Sequence, residues 1–459
     1  MKKLAEVYHM SIYGTRESKF KQINEIDLEA SHFTKLEPCA PFYLFVPQDN
    51  TLRAEYDKGW SLRDVFVESG VGITSAHDDF VVDFKKEKLV NKFTEFQKSE
   101  KSLDLHDKFN VNKKAGWDIL KAWEELQVLS ANDIDNLICK IDYRPFDARH
   151  IIYHDALVWR TVKKMTNHLL NKQNISLVFV RNQQGTSYYD NVFISKNIID
   201  LHLLPIGSYL APLYLYSDNL GMEEKTPNFQ PEFLKMVKEK FNNPSPEQIL
   251  GYIYAVLHSN NYRTRYLDFL KIDFPKIPFD VSIQEFKRLA SLGQELIEAH
   301  LIQTPPSPSG LSGGGSSSLS CPTRGGGSTS SSSHAKGGDL SSLSSPTRGG
   351  DLSSLSSPVR GGWWGLNIGE PQFDGEQNFV VEKVSYNQPT QRLYFNKTCY
   401  FTGVSPAVWE FKIGGYQVLD KYLKSRKDAN ISGDLKHIQN IIKVLEYSVK
   451  KMSEVDGLI

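Results

Sequence analysis

Several short stretches carry side chains whose types and spacing could do chemistry. Residues 141–154, IDYRPFDARHIIYH, set Arg144, Arg149 and His150 among Tyr143, Phe146 and Tyr153, around Pro145 and Asp147. Three readings fit these residues: an active site, a grip on nucleic acid, or a surface-exposed turn; Tyr143, Phe146 and Tyr153 are expected to pack and Arg144, Asp147 and Arg149 to form an ion-paired joint. Of the two arginines, Arg149 is the better candidate for a phosphate. Residues 159–174, WRTVKKMTNHLLNKQN, bring Arg160, Lys163, Lys164, Asn167 and His168 together. As a helix they would place Arg160, Lys164 and Asn167 on one face. The bland alternative is a solvated basic face. Residues 180–191, VRNQQGTSYYDN, line up Arg181, Asn182, Gln183 and Gln184 before a glycine turn. Arginine, asparagine and glutamine forks can read base edges in a major groove, while cations and amides fix the phosphate backbone. An ordinary polar turn would look the same. In YRTRY (262–266), Arg263 and Arg265 could hold phosphates, yet Asp268 and Asp273 make structural ion pairs equally natural. In KIGGY (412–416), two glycines would let a backbone approach a phosphate or another strand closely, and helix packing is the simpler account.

Enzymatic signatures are missing. The chain has no GxxxxGK(S/T) phosphate loop and no GxGxxG turn, and no HExxH or GxSxG core stands out. His77-Asp78 and His154-Asp155 are dipeptides that arise by chance. The four cysteines, Cys39, Cys139, Cys321 and Cys399, form no CxxC pair and have no histidine at metal spacing. A zinc site or a disulfide framework is therefore not expected, and a reducing cytoplasm fits best. The 54 basic and 54 acidic residues cancel, so net charge argues for neither nucleic acid nor membrane; a local basic face stays possible, because binding follows the patch. No run of about 20 apolar residues could span a bilayer.

The elements that must position these groups follow from periodicity. KEKLVNKFTEFQ and AGWDILKAWEELQVL repeat apolar residues at i, i+3 and i+4 and predict helices within 85–140. IIYH, ISLVFVR and APLYLYS are short, aromatic or β-branched, and bounded by turns, which predicts strands. EQILGYIYAVLHS, YRTRYLDFLKI and SIQEFKRLASLGQELIEAHLIQ predict helices. Beyond 362, NFVVEKVSYN, QRLYFN and KTCYFTGV predict strands, and two helices close the chain. Between the two folded parts, residues 304–362 are dominated by serine and glycine. From Gly313 they fall into units of twelve: GGGSSSLSCPTR, GGGSTSSSSHAK, GGDLSSLSSPTR and GGDLSSLSSPVR. Too few apolar residues occur there to bury a core, so a disordered linker is expected. The fold class expected is mixed α+β: a helical connector, then a strand-rich domain with flanking helices, interrupted by the linker.

Several phrases occur in an order that resembles a known family. They are IYGTRESKF (12–20), FYLFVPQD (42–49), EYDKGWSLRDVF (55–66), VGITSAHDDF (71–80), IDYRPFDARHIIYH, APLYLY (211–216), PNF (227–229), YIYAVLHSNNYRTRYLDFLKIDFPKIP (252–278) and VWEFKIGGYQVLDKYLKSRK (408–427). Together they resemble the C-terminal specificity part of type ISP restriction–modification enzymes. In those, nuclease, helicase-like translocase, adenine-N6 methyltransferase and target-recognition domains share one chain. YRPFD-x-R and IGGY-x-V are the most specific pieces. The resemblance implies that 1–84 is the tail of a methyltransferase-like domain, 85–140 a helical connector, 141–303 the target-recognition domain and 363–459 the rest of the specificity region. It departs from the family in lacking the S-adenosylmethionine loop and the (D/N)PPY motif, and in carrying the repeat tract.

What the resemblance implies is a sequence-specific DNA-binding fragment without catalysis of its own. Its partners would be double-stranded DNA and a methyltransferase or translocase on another chain. No cofactor is expected here; S-adenosylmethionine, ATP and Mg belong on the partner domains. Its DNA contacts would come from Arg149, Arg160, Lys163, Lys164, Asn167, Arg181, Asn182, Gln183, Gln184, Arg263 and Arg265. Two alternatives stand beside this: an inert remnant or protein-interaction module of a split enzyme, and, less favoured, an adenine-N6 methyltransferase in its own right. Long surface insertions cost little loop-closure entropy. Deleting 313–360 is therefore expected to leave soluble expression and the thermal midpoint unchanged; loss of soluble protein would show that the repeats are structural.

Overall fold

A computed structural model describes residues 5–27, 33–113, 116–182, 188–205, 207–219, 222–302 and 362–459. The repeat tract expected at 304–362 lies outside these residues except for Gly362. Two four-stranded sheets organise the chain up to residue 302. The strands that build them are β1 (Gly70–Val71), β2 (Val82–Asp83), β3 (Ile138–Arg144), β4 (Asp147–Ile152), β5 (Ser176–Phe179), β6 (Val192–Ser195), β7 (Ile198–Ile199) and β8 (Tyr209–Pro212). One sheet has the order β7-β3-β4-β2 and the other β1-β8-β5-β6. Strands on both sides of residue 84 thus share sheets. The short strand Trp60–Ser61 likewise pairs with Lys276–Ile277.

The β3–β4 hairpin is tight because its sequence dictates the turn. Arg144 pairs with Asp147, leaving Pro145 and Phe146 as the two central residues. Proline presets the first dihedral of a type II turn, whose second central residue needs positive φ. Phe146 takes that place at φ 62°, a conformation that disfavours bulky side chains. Packing compensates. The ring is buried, edge-on to Phe193 and His300 at centroid distances of 5.2 and 5.8 Å. Its carbonyl accepts a hydrogen bond from His437 Nε2 at 2.8 Å.

The helices follow the predicted pattern with shorter limits. KEKLVNKFTEFQ forms α1 (Lys86–Lys98), and the next apolar stretch is helical only over Ile119–Leu126, capped by Asp118. The expected helix over 159–174 is replaced by one turn, α2 (Lys163–Thr166), because Val162 enters it in a left-handed conformation. The apolar helices α3 (Pro246–His258) and α5 (Ile283–His300) cross with backbones almost touching; a Cβ on Gly293 would lie 1.7 Å from the Gly251 carbonyl oxygen. Only glycine permits that approach. Between them α4 (Asn260–Arg265) begins at the Ser259 cap.

Residues 362–459 complete the same core. They supply a small antiparallel sheet ending at Cys399–Phe401, then α6 (Val418–Lys424) and α7 (Leu435–Asp456). Of the expected strand NFVVEKVSYN, only Ser385–Asn387 is a strand; Val380 and Val381 make isolated bridges to Asn430 and Lys427. Ile151, Leu204 and Leu423 belong to one buried cluster, and Phe179, Ile253 and Val455 to another. The fold is therefore α+β. Among the described residues no helix is long and apolar enough to cross a membrane.

Helices α3, α5 and α7 meet around a neutral imidazole. Ser448 Oγ donates to Val444 O, so His300 Nε2 donates to Ser448 at 2.9 Å and Nδ1 accepts from Tyr254 O–H at 2.6 Å. Burial, then the Arg263 charge, lowers the His300 pKa from 6.5 to about 3. The same two causes push neighbouring His258 well down. The unfolded chain binds these protons near pH 6.5 and the folded one does not. Stability is thus complete above pH 6.5 and falls as pH drops toward 3, by up to about 1.4 kcal/mol per pH unit for His300. Urea titrations across this window should show a shallower pH slope for His300→Gln than for the native chain. Equal slopes would show that His300 titrates normally.

Candidate nucleic-acid interface

The site is built at one end of the second sheet. Tyr209 lies opposite both Phe179 and Val71, so the ends of three strands are side by side. Three segments emerge there: 72–79 after β1, the arm from Val180 after β5, and 200–208 before β8. Arg160 joins them through a bridge to Thr74, and Asp200 through one to Ile73. A cleft of about 360 Å³ opens among Thr74, Asp78, Arg144, Asp200 and His202.

The candidate residues divide sharply. Arg160 is exposed, its guanidinium 4.3 Å from the Trp159 ring centre, and no carboxylate pairs with it among the described residues. Arg181 is also exposed but held by Asp273 at 2.9 Å. Asn182 is half-buried beside it, while Gln183 and Gln184 lie outside the described residues. Lys163 and Lys164 are exposed and paired with Asp155 and Glu68, and Asn167 is exposed at the end of α2. The shared face expected for Arg160, Lys164 and Asn167 does not form, since Arg160 precedes the helical turn in an extended bridge. Arg265 grips Glu55 with two nitrogens, at 3.0 and 2.7 Å. The hydrogen bonds from Arg265 and Tyr266 hold the Glu55 carboxyl down at about 2. Arg263 faces a different cleft.

Arg149 sits in a buried network. Its Nε and Nη2 donate to Asp147 at 3.1 and 2.8 Å, and its guanidinium stacks on Phe84 and Tyr143 at 4.3 and 4.0 Å. Asp147 is 1% exposed and also accepts from Arg426 at 2.9 Å, which in turn binds Asp434. Burial alone would raise the Asp147 carboxyl; Arg426 and then Arg149 outweigh it and keep it below the ordinary carboxylate range. The expected ion-paired joint is corrected in one member: Arg144 turns away to Asp200 at 3.0 Å. The glycines of KIGGY serve chain contact. Gly414 and Gly415 have φ of 61° and 78°, and their N–H groups donate to the Asp190 carbonyl and carboxylate.

A second basic place has no signature in the sequence. The hairpin β9 (Tyr214–Asn219) and β10 (Met222–Pro227) brings Lys225 over the Tyr214 ring, at 3.7 Å. With Lys172 and Lys196 it rims a cleft of about 450 Å³ floored by Asn174. Lys196 and Lys225 make no ion pair among the described residues. These lysines are isolated in sequence, and strand register alone assembles them.

The chain matches the Type ISP C-terminal specificity domain over residues 64–454. No curated protein matches it. Among the solved structures that share its fold are three in complex with DNA or a DNA mimic. The ATP-dependent Type ISP restriction-modification enzyme LlaBIII bound to DNA is 18% identical, with a TM-score of 0.64 over 93% of this chain and 26% of that one. A cryo-EM structure of a DrdV–DNA complex is 16% identical, with a TM-score of 0.67 over 98% and 43%. A nuclease-deletion mutant of the Type ISP enzyme LlaGI, in complex with a DNA substrate mimic, is 16% identical, with a TM-score of 0.62 over 99% and 33%. The chain thus spans less than half the length of each.

Arg149 and Arg160 should behave oppositely on truncation. Arg149→Ala removes charge-assisted bonds to a buried carboxylate, and urea denaturation should show a loss of about 1.5–3 kcal/mol. Arg160→Ala lies on the surface and should stay within about 0.5 kcal/mol of the native chain. A stable Arg149→Ala protein would contradict the placement of Arg149 in the joint.

Proposed function

Since the chain belongs to the Type ISP C-terminal specificity domain family, we propose that it binds double-stranded DNA and supplies target recognition to a restriction–modification system. The observation that carries this reading is the family match over 64–454. The loops at the end of the second sheet give it a physical form. Arg160, free of carboxylates, meets phosphate; the arm of Arg181, Asn182, Gln183 and Gln184 reads base edges, with Arg181 exchanging Asp273 for its target. Lys163 and Lys164 would do the same with Asp155 and Glu68. Catalysis belongs to a methyltransferase or translocase partner, which would carry S-adenosylmethionine, ATP and Mg; the cytoplasm, where cellular DNA is reached, is the compartment this implies.

Exposed apolar side chains support a protein partner as well. Tyr13, Tyr43 and Phe45 are 79%, 61% and 65% exposed, and Phe20, Ile23 and Val46 add to them. Large apolar groups gathered on a surface mark interaction sites. The protein-interaction reading is thereby compatible with DNA recognition.

Neutralising several phosphates makes log affinity fall linearly with log salt, with a slope of about −0.9 per contact. Fluorescence anisotropy on a random-sequence duplex should give a slope steeper than about −2.5. Arg160→Ala should reduce its magnitude by about 1 on all sequences alike. Absence of binding at low salt, both alone and with a methyltransferase chain present, would overturn the proposal.

A further inference from the structure

Arg263 is the half-buried end of a cleft that the sheet-end loops do not explain. The cleft encloses about 630 Å³ and is lined by Tyr188, Tyr189, Arg263, Trp409 and Lys412 among others. It lies where the C-terminal end of the 181–190 arm meets the turn before KIGGY, so both parts of the chain flanking the repeat tract build it.

Two donors in this cleft have no protein acceptor among the described residues: the terminal nitrogens of half-buried Arg263 and the buried hydroxyl of Tyr189. Arg263 spends Nε on the Leu257 carbonyl at 2.6 Å. Its terminal nitrogens donate to no protein acceptor and no carboxylate pairs with it among the described residues. Asp190 is nearby and attracts it, but the Asp190 carboxylate is engaged by the Gly415 N–H at 3.0 Å. Glu410, also in the lining, is exposed and does not pair with it either. Partial burial disfavours the Arg263 cation, and Asp190 and Asp456 attract it without an ion pair, so its free donors can serve an anion. Beside it Tyr189 is 2% exposed, and its hydroxyl has no hydrogen-bond partner. Burial keeps that phenol protonated, and Arg263 is the first of its charged neighbours. An unmet phenolic O–H next to an unmet guanidinium fork is a pair of donors without an acceptor.

We propose that this cleft is a phosphate-binding site, in which Arg263 and Tyr189 donate to the anionic oxygens and Lys412 adds charge at the mouth. Arginine forks suit phosphate geometry. Lys412 is exposed and lies 4.8 Å from the Tyr188 ring centre, so a cation and an aromatic face share the opening. Tyr188 and Trp409 offer flat apolar walls for a sugar or a base. The phosphate comes from a DNA backbone or from a free nucleotide. The first source rests on the DNA-binding reading; the anion site itself does not.

Tyr189→Phe gives the decisive test in the full chain. Removing an unpartnered buried hydroxyl should leave the thermal midpoint in chloride unchanged or slightly higher, because nothing is left unsatisfied. In sodium phosphate, at ionic strength matched to chloride, the native chain should melt higher and Tyr189→Phe should lose most of that gain. Arg263→Gln and Lys412→Ala should lose it too; if Arg263→Gln fails to fold, the other two carry the test. If DNA backbone is the source, Tyr189→Phe also weakens duplex binding about tenfold, as expected for a hydrogen bond to a charged group. If a free nucleotide is the source, duplex affinity stays unchanged while the response to phosphate and to adenosine monophosphate falls. A native chain that gains nothing from phosphate, with duplex affinity unaltered in Tyr189→Phe and Lys412→Ala, overturns the inference and leaves DNA binding standing. Native protein that responds to phosphate yet binds no duplex overturns the DNA reading and leaves the site.

Discussion

The structure depends on one buried carboxylate. Asp147 closes the YRPFD turn and accepts from Arg149 on its own strand and from Arg426 beyond the repeat tract. Burial disfavours the charge of a carboxylate that is 1% exposed, and the Arg426 and Arg149 guanidiniums offset it. Phe84 lies against both cations, 4.3 Å from Arg149 and 4.7 Å from Arg426, so the network is roofed by an aromatic ring. Neighbouring contacts repeat the logic across the same seam. His437 caps the Phe146 carbonyl, Asp190 holds Gly414 and Gly415, and Asp456 takes donors from Ser259, Asn260 and Asn261. Each joins residues before 302 to residues after 362. The two parts flanking the repeats therefore form one body, and the loops at the end of the second sheet are aimed by it.

This seam also determines which basic residues are available. Arg149 is consumed by structure, because its charge neutralises Asp147. Arg265 is paired with Glu55 at the surface, as Arg181 is with Asp273. Arg160 has no carboxylate partner among the described residues, and Arg263 keeps most of its donors. Local charge density in the sequence does not distinguish these cases; the location of carboxylates from distant segments does. The same holds for the lysine-rimmed cleft at the β9–β10 hairpin, where Lys172, Lys196 and Lys225 are assembled by register.

Much of the architecture was legible in the sequence for identifiable reasons. Periodic apolar residues mark α1 and α5 without tertiary help, α5 with a Ser282–Glu285 capping box as well, and Pro145 marks the turn at YRPFD. The stretch at 159–174 misled because good helix formers at Lys163, Lys164 and Met165 are overridden by the Thr74–Arg160 bridge and the left-handed Val162. The partner of Arg144 was illegible for a similar reason: Asp147 is near in sequence, while Asp200 is near in space. Arg263 shows both limits. Its place in YRTRY made it a phosphate candidate, yet only the fold puts it beside Tyr189 in a cleft shared by two distant segments. Gln183 and Gln184 fall outside the described residues, so their part in base readout rests on the sequence and the family.

The most direct measurement of this account is hydrogen exchange during urea unfolding of the full chain, read separately in β3–β4 and in α7. A seam centred on Asp147 predicts that the two regions lose protection in one transition, and that Arg426→Met lowers the midpoint of both equally. Protection lost in α7 at a lower urea concentration than in β3–β4, or a substitution at Arg426 felt only after residue 362, would contradict it.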